Sequence, residues 1–111
     1  MASSAQPPRI KTRHAMSGYV YEYYFDRTFD AVYRFGIRSG PGPYSPALIE
    51  IDRPLLSRTA GRELSAVEEF AVAKLALFEA FDERPDPTAM AEPYRPPAEV
   101  LDRIVTELDL Q

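Results

Sequence analysis

Few side chains in this chain could do covalent chemistry. The one histidine, His14, lies in a polar N-terminal stretch with no apolar period, where nothing orients its ring or tunes its pKa. There is no cysteine, so thiolate nucleophiles, disulfides and sulfur-ligated metals are excluded together. Without a placed histidine or a cysteine, no Ser-His or Cys-His pair can form. Carboxylates occur as neighbours, Glu68 with Glu69 and Asp82 with Glu83, but adjacent helix residues point about 100° apart and share neither a proton nor a metal. The Glu-x-x-His spacing of di-iron bundles is absent, as is a calcium-loop pattern. No catalytic residue, cofactor or metal is expected.

Two weaker features remain. Ser57-Arg58-Thr59-Ala60-Gly61-Arg62 brings hydroxyls, a glycine and two arginines ahead of a helix start, a composition that can cradle an anion and that an ordinary polar connection also explains. Lys74 falls among apolar residues of a helix; it is expected to snorkel past the sheet edge or to pair with Glu50 or Glu22, and the functional alternative is a lysine of lowered pKa.

The chemistry best represented is recognition. Seven tyrosines exceed what a small core requires, and tyrosine, with an apolar body and a polar tip, is enriched where a surface meets a partner. Most of them fall in Tyr19-Val20-Tyr21-Glu22-Tyr23-Tyr24-Phe25 and Ala31-Val32-Tyr33-Arg34-Phe35-Gly36-Ile37-Arg38. The two runs read as a β-hairpin joined by a turn over residues 26–30. Alternation sends Tyr19, Tyr21, Tyr23, Phe25, Ala31, Tyr33, Phe35 and Ile37 to one face. Val20, Glu22, Tyr24, Val32, Arg34 and Arg38 go to the other. Glu22, Arg34 and Glu50 then form an expected cross-strand charge ladder that frames a Tyr24/Arg38 patch of hot-spot composition.

The elements that position these groups follow from pattern. Residues 1–17 are polar and basic and are expected to be a disordered tail. Residues 39–46, dense in proline and glycine, read as a loop. Residues 47–52 alternate as a third strand, with Ala47, Ile49 and Ile51 inward and Pro54 marking the end. Ser65-Ala66-Val67-Glu68 is a capping box. It opens a helix whose arc of Val67, Phe70, Ala71, Leu75, Leu77, Phe78 and Phe81 is expected to cover the sheet, with Glu68, Glu69 and Glu79 away from it. Residues 84–96 are a proline-rich strap or linker that Met90 and Tyr94 can pin. Pro97 starts a terminal helix over residues 97–111 with the stripe Val100, Leu101, Ile104, Val105 and Leu108. The expected fold is therefore α+β: a three-stranded antiparallel sheet covered by one long helix in a core of residues 18–83, plus strap and terminal helix.

Net charge is −4, which disfavours a phosphate-rich partner. No apolar run is long enough for a bilayer and no secretory pattern opens the chain, so a soluble, cytoplasmic protein is expected. The expected partner surface comprises Tyr24, Tyr33, Arg34, Phe35 and Arg38 of the hairpin, Tyr94 of the strap, and Leu101, Ile104, Val105 and Leu108, since an amphipathic helix on a linker commonly docks in a groove.

The run Phe29-Asp30-Ala31-Val32-Tyr33-Arg34-Phe35-Gly36-Ile37-Arg38, preceded by Tyr21 and Tyr24 and followed by the helix over residues 67–81, resembles the inhibitory accessory component D of soluble methane monooxygenase. Ser4-Ala5-Gln6-Pro7 is loosely similar too. The chain differs by its proline- and glycine-rich insertion over residues 40–46 and a longer strand-to-helix stretch. The resemblance implies a non-enzymatic protein of one-carbon metabolism that docks on the di-iron hydroxylase and competes with its activating regulatory component. Inhibition, assembly or copper-responsive regulation would be its role. Residues alone leave two other readings open: a nucleic-acid or transcription-associated module stacking bases on Tyr24, Arg34 and Arg38, and a ligand carrier or small enzyme with Lys74 in a pocket between helix and sheet.

Overall fold

A computed structural model of the chain describes residues 9–111. The fold is α+β, with four antiparallel strands in the order β1 (Lys11–His14), β2 (Val20–Phe29), β3 (Val32–Arg38) and β4 (Ser45–Glu50). Helices α1 (Arg53–Ala60), α2 (Ala66–Glu83) and α3 (Ala98–Glu107) follow, with a 3₁₀ turn at Pro87–Ala91.

The expected three strands become four because part of the presumed tail is ordered. Lys11 pairs with Tyr23 and His14 with Val20, so β1 extends the sheet at the free edge of β2. The segment has no apolar face of its own; its order comes from the ladder and from anchors beyond it. Ala15 is buried, the Met16 amide donates to Asp82 (2.8 Å), and the Ser17 hydroxyl donates to the Phe81 carbonyl (2.9 Å). The part of the expected disordered tail over residues 1–8 lies outside the described residues. An edge strand carrying Lys11, Arg13 and His14 resists further pairing through its charge.

The hairpin turn is tighter than expected. β2 continues to Phe29, with a register shift between Phe25 and Arg27, and only Asp30 and Ala31 connect it to β3. Asp30 has φ 55°, a left-handed conformation that aspartate tolerates. Inward-facing residues follow the alternation within the strands: Tyr21, Tyr23, Tyr33, Phe35, Ile37, Ala47, Ile49 and Ile51 are buried, while Tyr19, ahead of β2, and Phe25, beside the shift in register, are exposed.

Helix α2 begins with the complete capping box, Glu68 amide to Ser65 Oγ and Ser65 amide to Glu68 Oε1. Its buried arc is wider than a single stripe and rotated from the expected one. Val67 is 79 % exposed, whereas Glu69, Val72, Ala73, Ala76 and Ala80 are buried with Leu77, Phe78 and Phe81. Aromatic rings join it to the sheet, Phe81 stacked on Tyr21 (centroids 4.0 Å) and Phe78 edge-on to Tyr23 (5.4 Å).

Helix α1 was not expected from the sequence. Pro54, read there as the end of a strand, occupies the first turn instead; Asp52 caps it by accepting from the Leu55 amide, and Gly61 closes it at φ 77°. Proline in the first turn and a left-handed glycine past the last are the usual helix punctuation.

The strap is not a free linker. Tyr94 hydrogen-bonds both ways with β4, its amide to the Leu48 carbonyl and its carbonyl to the Glu50 amide, each 2.9 Å, in a parallel bridge opposite Ile49. This covers the second sheet edge. Arg84 ties the strap from inside, donating to the carbonyls of Ala89, Glu92 and Pro93 with its guanidinium over the Tyr94 ring. Burial beside Glu83 raises the Tyr94 hydroxyl to about 12.

Helix α3 packs against α1 and α2. Val100, Leu101, Ile104 and Val105 are buried and Leu108 is half-buried, with Arg103 reaching Glu79 at 2.5 Å. A buried stripe on this element belongs to the core. Leu101→Ala is expected to cost about 2–5 kcal/mol, the range for truncating a buried leucine. A chain ending at residue 96 is expected to lose cooperative unfolding. Denaturant titration checks both, and a truncated chain that kept the wild-type midpoint would return the helix to the surface.

Candidate functional site

The helices pack on one face of the sheet. The other face carries Val20, Glu22 and Tyr24 of β2, Val32, Arg34, Gly36 and Arg38 of β3, and Leu48 and Glu50 of β4. Of these, only Gly36 is buried. Its cover is Tyr24: a methyl group built on Gly36 would stand 2.4 Å from ring atoms of Tyr24. The tyrosine thus lies flat across the glycine opposite it in the ladder, filling the gap that a missing side chain leaves in a strand.

Tyr24 meets Tyr44, from the loop before β4, edge to face with centroids 5.1 Å apart. Arg38 sits over the Tyr44 ring at 4.4 Å, donates to Glu22 at 2.6 Å and to the Gly42 carbonyl at 2.9 Å. The hydrogen bond it donates to Glu22 raises the Arg38 guanidinium above its ordinary pKa, so it is charged at every accessible pH. Arg34 is exposed and pairs with Asp26 at 3.0 Å. The result is a platform of two tyrosines and two arginines held flat by neighbours, where cation–π and edge-to-face contacts limit the freedom lost on meeting a partner.

The expected charge ladder does not form. The register puts Arg38, not Arg34, opposite Glu22, and Leu48, not Glu50, opposite Arg34. The shift between Phe25 and Arg27 brings Asp26 to Arg34. Of the residues expected to bind a partner, Tyr24, Arg34 and Arg38 come together on this face. Tyr33, Phe35 and Tyr94 are buried in the core, as are Leu101, Ile104 and Val105, and offer no surface to a protein partner while the chain stays folded. The Ser57 to Arg62 cradle also dissolves: Ser57 and Arg58 belong to α1, and Arg62 is bound to Glu68 by two hydrogen bonds of 2.7 and 3.1 Å. Arg62 and the Ser65 amide hold the Glu68 carboxyl down to about 2.

A second polar cluster escaped sequence reasoning. Glu69, only 8 % exposed, accepts from the Tyr33 hydroxyl (2.7 Å) and from Arg53 through Nε (2.8 Å) and a terminal nitrogen (3.0 Å). Arg53 continues to the Asp30 carboxylate and carbonyl, fastening the β2–β3 turn. A cavity of about 370 Å³ opens beside these groups; Glu69 and Asp30 share the Arg53 guanidinium that ties α1 to α2 and to the β2–β3 turn, and the cluster reads as structural. The capping box accounts for Glu68, but nothing in the sequence marks Glu69 as a buried residue. His14 is exposed on β1, and among the described residues no three His, Asp or Glu side chains converge to hold a metal. No described helix is long and apolar enough to cross a membrane. Comparison with protein-family models, characterised proteins and solved structures finds no match.

Burial pushes the Glu69 carboxyl up, but the hydrogen bonds from Arg53 and Tyr33 and the charge of Arg53 outweigh it, leaving the pKa below its ordinary value. Burial, then the bond to Glu69, raises the Tyr33 hydroxyl. A carboxyl that holds its proton less tightly when folded stabilises the protein fully above its unfolded pKa of about 4.3, and the gain is lost as pH falls through the folded value. Glu69→Gln is expected to cost about 1–3 kcal/mol at neutral pH and to flatten the loss of stability in acid. Thermal melts from neutral pH down into the acid range read both effects; a wild-type melting temperature at neutral pH would show the cluster to be dispensable.

Proposed function

We propose that the chain is a non-catalytic protein-binding module that docks on a larger protein through the open sheet face. The observation that carries this reading is the Tyr24, Tyr44, Arg34 and Arg38 platform, on a sheet face over which no element of the described chain packs. Tyrosine and arginine in fixed geometry are the residue types that concentrate binding energy at interfaces. The partner is taken from the likeness of the β2–β3 hairpin to the monooxygenase accessory component: a di-iron monooxygenase hydroxylase, with inhibition arising by competition with the activating regulatory component. A protein without its own catalytic constellation acts on an enzyme by differential affinity for its states or by excluding another partner.

Two experiments test the surface and the partner separately. Gly36→Ala drives the Tyr24 ring off its seat. The added methyl regains about 0.5–1 kcal/mol of strand entropy against a lost aromatic contact of about 0.5–1.5 kcal/mol, so stability is expected to stay near wild type while docking weakens. Arg34→Ala, on an exposed side chain, is expected to weaken docking by about 1–3 kcal/mol with an unchanged melt. Unaltered affinity in both variants would move the docking surface elsewhere.

Added to a soluble methane monooxygenase hydroxylase, the protein is expected to lower turnover in proportion to dose, with relief by excess regulatory component. Absence of heat in calorimetric titration at micromolar concentrations would reject this partner and leave the surface open to another.

A further inference from the structure

At the edge of the sheet beyond the end of β1, a cavity of about 230 Å³ is lined by Arg9, Lys11 and Lys74 together with Tyr23, Tyr24, Phe25, Phe35 and Phe70. Its walls divide by chemistry. Phe25 meets Phe70 edge to face at 4.9 Å and Phe35 at 5.6 Å, making an aromatic box. The three charged residues that line it are all cations, in a chain whose net charge is −4.

These cations have no counter-charge among the described residues. Arg9, Lys11 and Lys74 take part in none of the ion pairs there, and the nearby carboxylates are committed elsewhere: Glu22 to Arg38, Asp26 to Arg34 and Arg27, and Glu69 to Arg53. Residues 1–8 contain no aspartate or glutamate. Lys74 is partly buried and adjoins Lys11 rather than the Glu22 or Glu50 expected from sequence. Burial, then contact with Lys11, lowers its pKa. Two like charges held together in a partly dry site are costly unless an anion lies between them.

We propose that this cavity is a binding site for a small amphiphilic anion, a single carboxylate or phosphate on a flat apolar body, whose ring enters the Phe25, Phe35 and Phe70 box while its oxyanion bridges Lys11 and Lys74. The volume lies below the range of about 300–1,000 Å³ typical of drug-sized ligands, which limits the body to about one ring. Edge-to-face packing selects a flat body. Charge-assisted hydrogen bonds to two ammonium groups select the oxyanion and relieve their repulsion. The site shares only Tyr24 with the open sheet face: it needs neither Arg34, Arg38 nor Tyr44, and a failure of one proposal leaves the other standing.

The test is an NMR titration of the full chain with 3-phenylpropionate, phenyl phosphate, the neutral 3-phenylpropanol and inorganic phosphate. Saturable shifts at Phe25, Phe70 and Lys74 are expected with at least one of the two aromatic anions, and their relative affinity identifies the headgroup. The alcohol and inorganic phosphate are expected to bind about tenfold more weakly or worse, as are the aromatic anions to Lys74→Met or Lys11→Gln, the size expected when one hydrogen bond to a charged group is lost. In the unmodified protein the bound anion is expected to raise the Lys74 pKa, a readout that needs no variant. Equal affinity for acid and alcohol, shifts confined to other surfaces, or a Lys74 pKa unmoved by saturating ligand would each overturn the site.

Discussion

The stack of Tyr21 on Phe81, ring centroids 4.0 Å apart and nearly parallel, is the contact on which the rest of the structure depends. It joins the second strand to the last turns of α2, and both rings are fully buried. Tyr23 against Phe78 extends the contact along the same edge. With the long helix so fixed, Met16 and Ser17 find their places beside Asp82 and Phe81 and β1 is drawn onto the sheet, while α1, α3 and the strap close the remaining apolar surface. A chain of 111 residues has little interior to spare, which is why the terminal helix and the strap are enlisted in the core.

That economy decides which surfaces remain for recognition. With Leu101, Ile104, Val105 and Tyr94 buried, the surfaces left for recognition include the flat platform around Tyr24 and the cationic aromatic cavity around Lys74. The two differ in kind. The platform is shallow, its arginines tied to Glu22 and Asp26, and suits a broad protein surface. The cavity is concave, its lysines uncompensated, and suits a small anion. Tyr24 touches both, lining the cavity and covering Gly36.

Much of this was legible from local pattern. Period-two alternation identified the inward faces of β2, β3 and β4, because in a strand the side-chain direction is set residue by residue. Ser65 and Glu68 announced the start of α2 because a capping box is closed within four residues. Helix α1 was missed although its signals were present. Asp52, Pro54 and Gly61 are a complete set of punctuation, but only Leu56 and Ala60 are buried on it, too few apolar positions to show a helical period. Proline in that context ends a strand as readily as it begins a helix.

The sequence by itself determined that β2, β3 and β4 are strands, which way they face, and that α2 and α3 are helices, since propensity, alternation and capping act over a few residues. Only the tertiary structure decided what each apolar stripe is for. The stripe on α3 has the same spacing whether it meets a partner or its own core; packing against α1 and α2 chose the core. The same holds for charge. Glu68 and Glu69 are indistinguishable as letters, yet one caps a helix at the surface and the other is buried between Tyr33 and Arg53. Lys74 acquired Lys11 as a neighbour only because β1 joined the sheet. Such pairings depend on which distant segments share a face, a three-dimensional arrangement that no short window of sequence contains.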